Sequence, residues 1–159
     1  MIIVTGGAGF IGSVYIQLLN SRGIDNIIIV DNFGKSEKWK NLRTKNFKDF
    51  INKNNFFNRL NEKSFTKKIE SIIHLGACSN TTEIDMNYLY ETNTDYSMKL
   101  LDFAVSNDIR FIYASSGAVY GDGKSGFNDK EDLTKNLIPL NKYGFSKWIF
   151  DSYMINQGY

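Results

Sequence analysis

The chain has 159 residues, of which 42% are hydrophobic and 23% are charged, a composition ordinary for one globular domain with its own core. The formal net charge of +2 is too small to predict a nucleic-acid partner by itself. A single cysteine, Cys78, excludes an internal disulfide and favours a reducing compartment. We find no signal-peptide pattern and no long apolar span, so the cytoplasm is the expected location and no membrane partner is expected.

The opening of the chain predicts a strand, a glycine-rich turn and a helix. Residues 2–4 are a short apolar run, typical of a buried parallel strand. Gly7, Gly9 and Gly12 follow at the spacing G-x-G-x-x-G. Gly6 extends the pattern to G-x-x-G-x-x-G. Helical spacing then recurs in Ile11, Val14, Tyr15, Leu18 and Leu19.

This order of elements is the context that a dinucleotide-binding turn requires. Glycines allow the tight turn, bring the backbone close to a pyrophosphate and let the helix pack on the strand, and the helix N-terminus faces the phosphates. Residues 27–31 form a second buried strand that ends in Asp31, at about the spacing where an acid meets a ribose hydroxyl. The alternative is a glycine-rich turn that only packs a helix on a sheet.

Lysine, arginine and asparagine dominate residues 35–68. We interpret this segment as a connection outside the main sheet that is partly solvated and partly buried. It is predicted to contain a short strand at residues 46–52 and a helix at residues 55–63. A sharper hypothesis is that a lysine near the end of the second strand meets an adenosine 2′-phosphate. Lys38 and Lys53 are the best placed for this contact.

A further core strand is predicted at residues 71–75. The loop at residues 76–79 should line the nucleotide, because ligands lie beyond the carboxyl ends of parallel strands. His74 is the only histidine and has no clustered metal ligand, so we predict no metal site and a packed rather than catalytic histidine. Cys78 lacks a local basic partner and is not predicted to be a nucleophile.

Residues 85–107 are predicted to be largely helical. Asn93 lies near the middle of this helix, where its side chain is either exposed or anchors the loops around a cofactor. The apolar face of the helix is predicted to consist of Ser97, Leu100, Leu101, Ala104 and Val105.

The C-terminal third predicts a strand at residues 110–115, followed by Ser116 on the ligand side of the sheet. A polar, glycine-rich surface loop follows at residues 121–136. The last helix is predicted at about residues 141–156, with Gly158 as its stop.

Tyr143 and Lys147 stand four residues apart near the start of that helix and therefore share one helix face. A tyrosine is a poor base at its ordinary pKa of about 10, but a neighbouring ammonium favours the phenolate and makes Tyr143 a workable proton acceptor. Ser116 is placed to orient the same substrate hydroxyl. Such a trio suits removal of a proton from an alcohol while hydride leaves for a nicotinamide. Because Y-x-x-x-K is common in helices, its weight here comes from following the nucleotide turn and the strand-end serine.

Together these motifs resemble the extended short-chain dehydrogenase/reductase family, which includes nucleotide-sugar epimerases and dehydratases. The resemblance spans essentially the whole chain and is carried by residues 5–12, 115–116, 119–121 and 143–147. A narrower resemblance, to members that epimerise ADP-linked heptoses of the lipopolysaccharide core, rests on residues 1–4, 30–32, 38, 76–83 and 113–116.

The resemblance implies a Rossmann-type α/β fold with a doubly wound parallel sheet, bound NADP(H), and an ADP-heptose whose C6 hydroxyl is oxidised to a ketone and then reduced from its other face. It implies Tyr143 as the acid/base, Lys147 as the residue that holds the nicotinamide ribose and tunes Tyr143, and Ser116 as a contact of the substrate hydroxyl. Asp31 by itself favours NAD, whereas the matching lysines favour NADP. The implied cofactor contacts, besides Tyr143 and Lys147, are Gly6, Gly9, Phe10, Ile11, Gly12, Asp31, Asn32, Lys38, Lys53, Leu75, Gly76, Ala77, Cys78, Ser79 and Asn93.

Mild departures from the family pattern are Asn80, Thr92 and Gly117, and the large departure is length. The family continues with further strands and a smaller substrate-binding lobe, which carries the second acid/base group. We therefore expect residues 1–159 to form the dinucleotide-binding domain alone and to be inactive without that lobe. The strand at residues 111–115 would then lie at or near an uncovered sheet edge. The full-length enzyme is expected to be a homo-oligomer.

Other interpretations stay open from the sequence. The chain is then a non-catalytic nucleotide-binding half of a split enzyme, or part of a different family member, such as a 4-epimerase or 4,6-dehydratase of another sugar nucleotide. A nucleic-acid role, suggested only by the lysine-rich middle, is the least favoured.

Overall fold

The computed structural model describes all residues, 1–159, and its strands form one parallel five-stranded sheet. The order across the sheet is β3-β2-β1-β4-β5, and each neighbouring pair is parallel. This order is that of a Rossmann-like α/β fold, which confirms the predicted fold class. In chain order the strands are β1 (Ile2–Thr5), β2 (Ile27–Asp31), β3 (Asp49–Asn52), β4 (Ser71–His74) and β5 (Arg110–Tyr113).

The sheet register brings the carboxyl ends of the central strands to one edge. Thr5, the last residue of β1, lies opposite Val30 of β2 and His74 of β4. Asp31, the last residue of β2, lies opposite Asn52 of β3. β1 and β2 are almost wholly buried, as the apolar runs predict. The glycine turn that follows Thr5 therefore starts beside the ends of β2 and β4.

Six α-helices accompany the sheet, and none of them is both long and apolar enough to cross a membrane. They are α1 (Phe10–Ser21), α2 (Phe56–Leu60), α3 (Lys63–Thr66), α4 (Met86–Leu89), α5 (Tyr96–Ser106) and α6 (Lys142–Gln157). A π-helical segment, Tyr90–Asp95, joins α4 to α5. Short 3₁₀ helices occur at Glu37–Leu42, Lys53–Asn55, Gly117–Tyr120 and Glu131–Asn136.

The chain divides into two compact units. The first consists of Met1–Gly76 and Phe103–Tyr113 and contains the whole sheet together with α1, α2 and α3. The second consists of Ala77–Asp102 and Ala114–Tyr159 and contains α4, the π segment, most of α5, and α6.

The predicted apolar face of α5 is partly wrong, and the apolar spacing that predicts α1 does not mark the buried face of that helix. Val14 and Leu18 of α1 are 55% and 46% exposed, and Val105 of α5 is 45% exposed. The buried face of α1 is formed instead by Gly12, Ser13, Ile16 and Leu19. Its two small residues let the helix axis approach the sheet closely, so the helix is turned away from the side that apolar spacing alone selects.

The lysine-rich segment contains shorter elements than predicted. The strand expected at residues 46–52 is limited to Asp49–Asn52, and the helix expected at residues 55–63 is α2 alone, followed by a separate α3. The helix expected at residues 85–107 is interrupted by the π segment. The Asn52 side chain accepts a hydrogen bond from the Asn54 N–H and starts the 3₁₀ helix Lys53–Asn55, which separates β3 from α2.

Candidate functional site

The turn between β1 and α1 has no room for side chains at two of its glycines. Gly6 has a φ of +67°, and a Cβ there would lie 2.7 Å from the Cα of Gly76. A Cβ on Gly12 would lie 2.3 Å from the carbonyl oxygen of Gly6. α1 begins after Gly9, and no side chain caps its N-terminus. The backbone N–H groups of its first turn therefore have no side-chain acceptor within the cap. These features form a cradle of the kind that a pyrophosphate needs, and the residues present fit a dinucleotide.

The carboxylate of Asp31 ties the glycine turn to the end of β2. Its Oδ2 accepts a hydrogen bond from the Ala8 N–H at 2.9 Å, and its Oδ1 accepts one from Lys38 Nζ at 2.5 Å. The Asn41 side-chain amide donates to the Ala8 carbonyl at 2.9 Å. Asp31 is buried, so its charge is balanced inside the protein by Lys38. Asn41 is a residue that the sequence analysis missed.

The two lysines selected from the sequence lie near Asp31. Lys38 pairs with its carboxylate, and Lys53 directly follows Asn52, the residue opposite Asp31 in the sheet. Both lysines are half-buried rather than fully solvated. The other predicted contacts on this side, Asn32, Phe10 and Ile11, are exposed, with Phe10 at 81% and Ile11 at 66%.

Thr5 links the end of β1 to the end of β4. A hydrogen bond of 2.6 Å joins Thr5 Oγ1 to His74 Nδ1, and the same oxygen accepts the Gly76 N–H at 3.1 Å. The Leu75 N–H donates to the Thr5 carbonyl at 3.2 Å. His74 is 2% exposed and also lies beside the rings of Phe111 and Tyr113. The histidine is therefore packed, and Thr5, to which it is hydrogen-bonded, holds the backbone of residues 75–76 close to the glycine turn.

In the second unit, the side chain of Asn93 fixes the loop that contains Cys78. Asn93 lies within the π segment and is fully buried. Its Oδ1 accepts the Cys78 N–H at 2.7 Å, and its Nδ2 donates to the Cys78 carbonyl at 3.0 Å. The same Nδ2 donates to Ser146 Oγ on α6 at 3.0 Å. Of the two interpretations of Asn93, exposed or anchoring, the geometry is that of an anchor.

We expect Asn93→Leu to lower the free energy of unfolding by about 3 kcal/mol, because it removes a fully buried amide that hydrogen-bonds the partly buried N–H and carbonyl of Cys78 and the Ser146 hydroxyl. Urea denaturation of the purified variant measures this loss. The matched control is Asn107→Leu, which removes an exposed amide that donates to the Phe103 carbonyl and should change stability by less than about 0.5 kcal/mol. Equal losses in the two variants would contradict the anchoring role.

Ser116 and Tyr143 belong to segments that pack tightly on one another within the second unit. Ser116 precedes the 3₁₀ helix Gly117–Tyr120 and its Oγ accepts the Ala118 N–H at 3.2 Å. Tyr143 is the second residue of α6. A Cβ on the next residue, Gly144, would lie 2.7 Å from the Ala118 carbonyl oxygen, so only glycine allows this approach of the two segments.

Lys147 is buried one helical turn after Tyr143. It is 2% exposed, and burial lowers the pKa of its ammonium from 10.5 to about 8, while the negative charge of Asp151 offsets part of that shift. At pH 7 the ammonium therefore remains the main form.

The structure distributes the predicted residues between the two units. Leu75 and Gly76 belong to the first unit with the glycine turn, whereas Ala77, Cys78 and Ser79 belong to the second with Asn93. Ser116, Tyr143 and Lys147 all belong to the second unit. Besides Asn41, the sequence analysis assigned no role to Gly144 or Ser146. A glycine directly after Tyr143 was the available signal that another segment approaches the helix closely at Gly144.

Known proteins resemble this chain along almost its whole length. Residues 2–158 match the model of the NAD dependent epimerase/dehydratase family. The chain is 48% identical, over 99% of its length, to an ADP-L-glycero-D-manno-heptose-6-epimerase of Fusobacterium nucleatum, of which it covers 48%. It thus spans about half the length of the curated relatives that it matches.

Solved structures share the fold over nearly the whole chain. The ADP-L-glycero-D-manno-heptose-6-epimerase of Helicobacter pylori superposes with a TM-score of 0.76 at 28% identity, over 98% of this chain and 50% of that one. A UDP-glucose 4-epimerase of Brucella ovis, solved in complex with NAD, gives a TM-score of 0.76 at 26% identity, over 99% of this chain and 47% of that one. With its glycine turn, its strand order and this match over residues 2–158, the chain belongs to the NAD dependent epimerase/dehydratase family.

Proposed function

We propose that this chain is the dinucleotide-binding and proton-transfer part of an epimerase that inverts C6 of the heptose in ADP-D-glycero-D-manno-heptose. The observation that carries the proposal is the buried Lys147 one turn after Tyr143, on a helix whose Gly144 contacts the Ser116 turn. The choice of sugar nucleotide is supported by the heptose epimerases, which are 44% and 48% identical to this chain over 99% of its length. The remaining half of those relatives would supply the substrate lobe and the second acid/base group.

When bound, a nicotinamide dinucleotide supplies a reversible hydride acceptor. The Tyr143 phenolate accepts the proton of the substrate hydroxyl, and the charged Lys147 stabilises that phenolate. The Ser116 hydroxyl hydrogen-bonds the substrate oxygen and orients it. The glycine turn and the N-terminus of α1 would hold the pyrophosphate, while Asp31, Lys38 and the residues beyond β4 would contact the rest of the dinucleotide.

The proposed cofactor is NADP rather than NAD, because Lys38 and Lys53 lie beside Asp31. An unpaired aspartate at the end of β2 binds the two ribose hydroxyls of NAD and repels a 2′-phosphate. Here the Asp31 carboxylate is paired with Lys38, which supports the proposal because the pair would reduce that repulsion and offer a cation to a 2′-phosphate. NAD is the alternative cofactor.

We expect Lys38→Ala to weaken NADP binding about 10-fold, because the variant loses the cation for the extra phosphate, and to leave NAD binding unchanged or tighter, because Asp31 is released from its ion pair. Isothermal titration of both dinucleotides into the purified chain measures this difference. Lys40→Ala is the matched control, since Lys40 lies on the same 3₁₀ helix and pairs with Glu37 at the surface. Tighter binding of NAD than of NADP by the unmodified chain would overturn the cofactor choice.

Product analysis tests the reaction itself. The chain, co-expressed with a polypeptide that corresponds to the second half of the heptose epimerase relatives, is incubated with ADP-D-glycero-D-manno-heptose and NADP, and NMR follows the configuration at C6. We expect inversion in the pair and little turnover by the chain alone. Robust turnover by the isolated chain would show that the second half is not required.

A panel of sugar nucleotides separates the remaining candidates. Conversion of UDP-hexoses in preference to the ADP-heptose would favour a 4-epimerase or dehydratase. Dinucleotide binding without turnover by the pair would favour a non-catalytic nucleotide-binding module.

A further inference from the structure

Lys147 and Asp151 occupy successive turns of α6. Residues four apart lie on the same helix face, so the carboxylate of Asp151 borders the turn that contains the Lys147 side chain. Lys147 is 2% exposed, whereas Asp151 is half-buried. A buried ammonium needs an opposite charge nearby, because burial by itself favours the neutral amine.

A hydroxyl from another segment holds the Asp151 carboxylate. Ser115 Oγ donates a hydrogen bond to Asp151 Oδ2 at 2.6 Å, within the range of a charge-assisted bond. Ser115 directly precedes Ser116, whose hydroxyl caps the next 3₁₀ helix. The two adjacent serines therefore have different partners: the first restrains an acid on α6, and the second is the proposed substrate contact.

Asp151 supplies the electrostatic effect on Lys147. Its negative charge raises the pKa of the ammonium against the opposing effect of burial. The nearby Asp95 pairs with Lys99 at 2.7 Å, and Glu91 is exposed. The other titratable groups of α6 and of the elements packed on it are Lys142, Tyr143, Tyr153, Tyr88, Tyr90, Tyr120, Glu131, Asp132 and Lys135.

We propose that Asp151 is a positioning residue for Lys147: fixed by the Ser115 hydroxyl, its carboxylate keeps the lysine in the charged form that the proton transfer requires. The use of this charge in catalysis rests on the proposed function. The link between Ser115, Asp151 and Lys147 is a property of the second unit and is measurable without substrate or cofactor.

The experiment follows the titration of Lys147 in the purified chain by the ¹³Cε chemical shift of its side chain, assigned with a Lys147→Arg variant. We expect Asp151→Asn to lower the midpoint of the titration by about half a pH unit or more, because it removes the opposing charge. Asp151→Glu should restore most of the midpoint, and Ser115→Ala should lower it by a smaller amount.

Asp102→Asn is the matched control. Asp102 also accepts a hydroxyl hydrogen bond, from Tyr153 at 2.7 Å, so this variant removes the same charge and the same kind of contact elsewhere in the second unit. An unchanged midpoint in Asp151→Asn, or an equal shift in Asp102→Asn, would overturn the proposal. If Asp151→Asn does not fold, Ser115→Ala and Asp151→Glu decide the outcome, and a midpoint in Ser115→Ala equal to that of the unmodified chain would then overturn it.

Dinucleotide titration of the same samples separates this proposal from the function on which it rests. A chain that binds neither NADP nor NAD would refute the proposed function, while a shifted midpoint in Asp151→Asn would still support the link to Lys147.

Discussion

Lys147→Met should raise the free energy of unfolding at pH 7 by about 2 kcal/mol and abolish any turnover. The folded chain holds a lysine that is 2% exposed and whose pKa is about 8, against 10.5 for an unconstrained lysine. Keeping that charge buried costs the folded chain about 3 kcal/mol at neutral pH. The variant avoids this cost but loses the favourable contacts of the ammonium, so its expected gain in stability is only about 2 kcal/mol. Methionine has a similar length and no charge, so it fills the same space.

The gain should depend on pH with a definite sign. Above about pH 10.5 the lysine is neutral in the folded and unfolded chains, and its burial carries no ionisation cost. Between about pH 10.5 and 8 the unfolded chain binds the proton and the folded chain does not, so the stability of the unmodified protein falls as the pH falls. Below about pH 8 the cost is constant. The advantage of Lys147→Met should therefore be largest below pH 8 and disappear towards pH 10.5.

Urea denaturation between pH 7 and 10.5, followed by tryptophan fluorescence, measures this dependence. Trp148 lies on α6 next to Lys147 and reports on that helix. Lys135→Met is the control, because Lys135 is exposed and its replacement should leave stability nearly constant across the range. A variant of Lys147 that is less stable at pH 7 than the unmodified chain would show that the contacts of the ammonium outweigh its burial.

Gly12→Ala should lower the free energy of unfolding by about 3 kcal/mol and weaken dinucleotide binding about 100-fold. The added Cβ would lie 2.3 Å from the Gly6 carbonyl oxygen and 2.7 Å from the Gly7 Cα. Both are backbone atoms, so the clash is relieved only by moving the turn itself. Movement of the turn separates the N–H groups that would hold the pyrophosphate, which is why binding should suffer as well as folding.

Gly117→Ala is the matched control for this variant. Gly117 begins a 3₁₀ helix, and a Cβ there would meet no atom within 4 Å. Its replacement should therefore leave both stability and dinucleotide affinity nearly unchanged. Calorimetric titration with NADP and urea denaturation of the two variants give the comparison. Undiminished affinity in Gly12→Ala would contradict the assignment of the turn as the pyrophosphate cradle.

The nucleotide half of the fold was predictable because its signals are local. Residues 27–31 were predicted as a strand ending in Asp31, and β2 has those bounds. An apolar run, a glycine pattern and an acid at fixed spacing each act within a few residues of one another, so no knowledge of distant contacts is needed.

Other features depend on distant contacts and left no local signal. The π segment is stabilised by hydrogen bonds from Asn93 to Cys78 and Ser146, which are 15 and 53 residues away in sequence. The burial of Lys147 likewise depends on how α6 packs, because the sequence around it resembles that of a half-exposed helix. The exposure of Val14 shows the same limit, since periodicity identifies an apolar face but not the small residues that decide which face approaches the sheet.

The π segment also makes the chain intolerant of changes in length at one place. A π turn contains one residue more than an α turn, so deleting a single residue from Tyr90–Asp95 would restore an uninterrupted α-helix through α4 and α5. Each residue advances an α-helix by about 100°, and the deletion would rotate one flank relative to the other by that angle. Asn93 and Thr94, which both bond Ser146 of α6, could then no longer keep these bonds without moving the elements that flank them. Insertions and deletions should therefore be tolerated in the surface loop at residues 121–130 and selected against here.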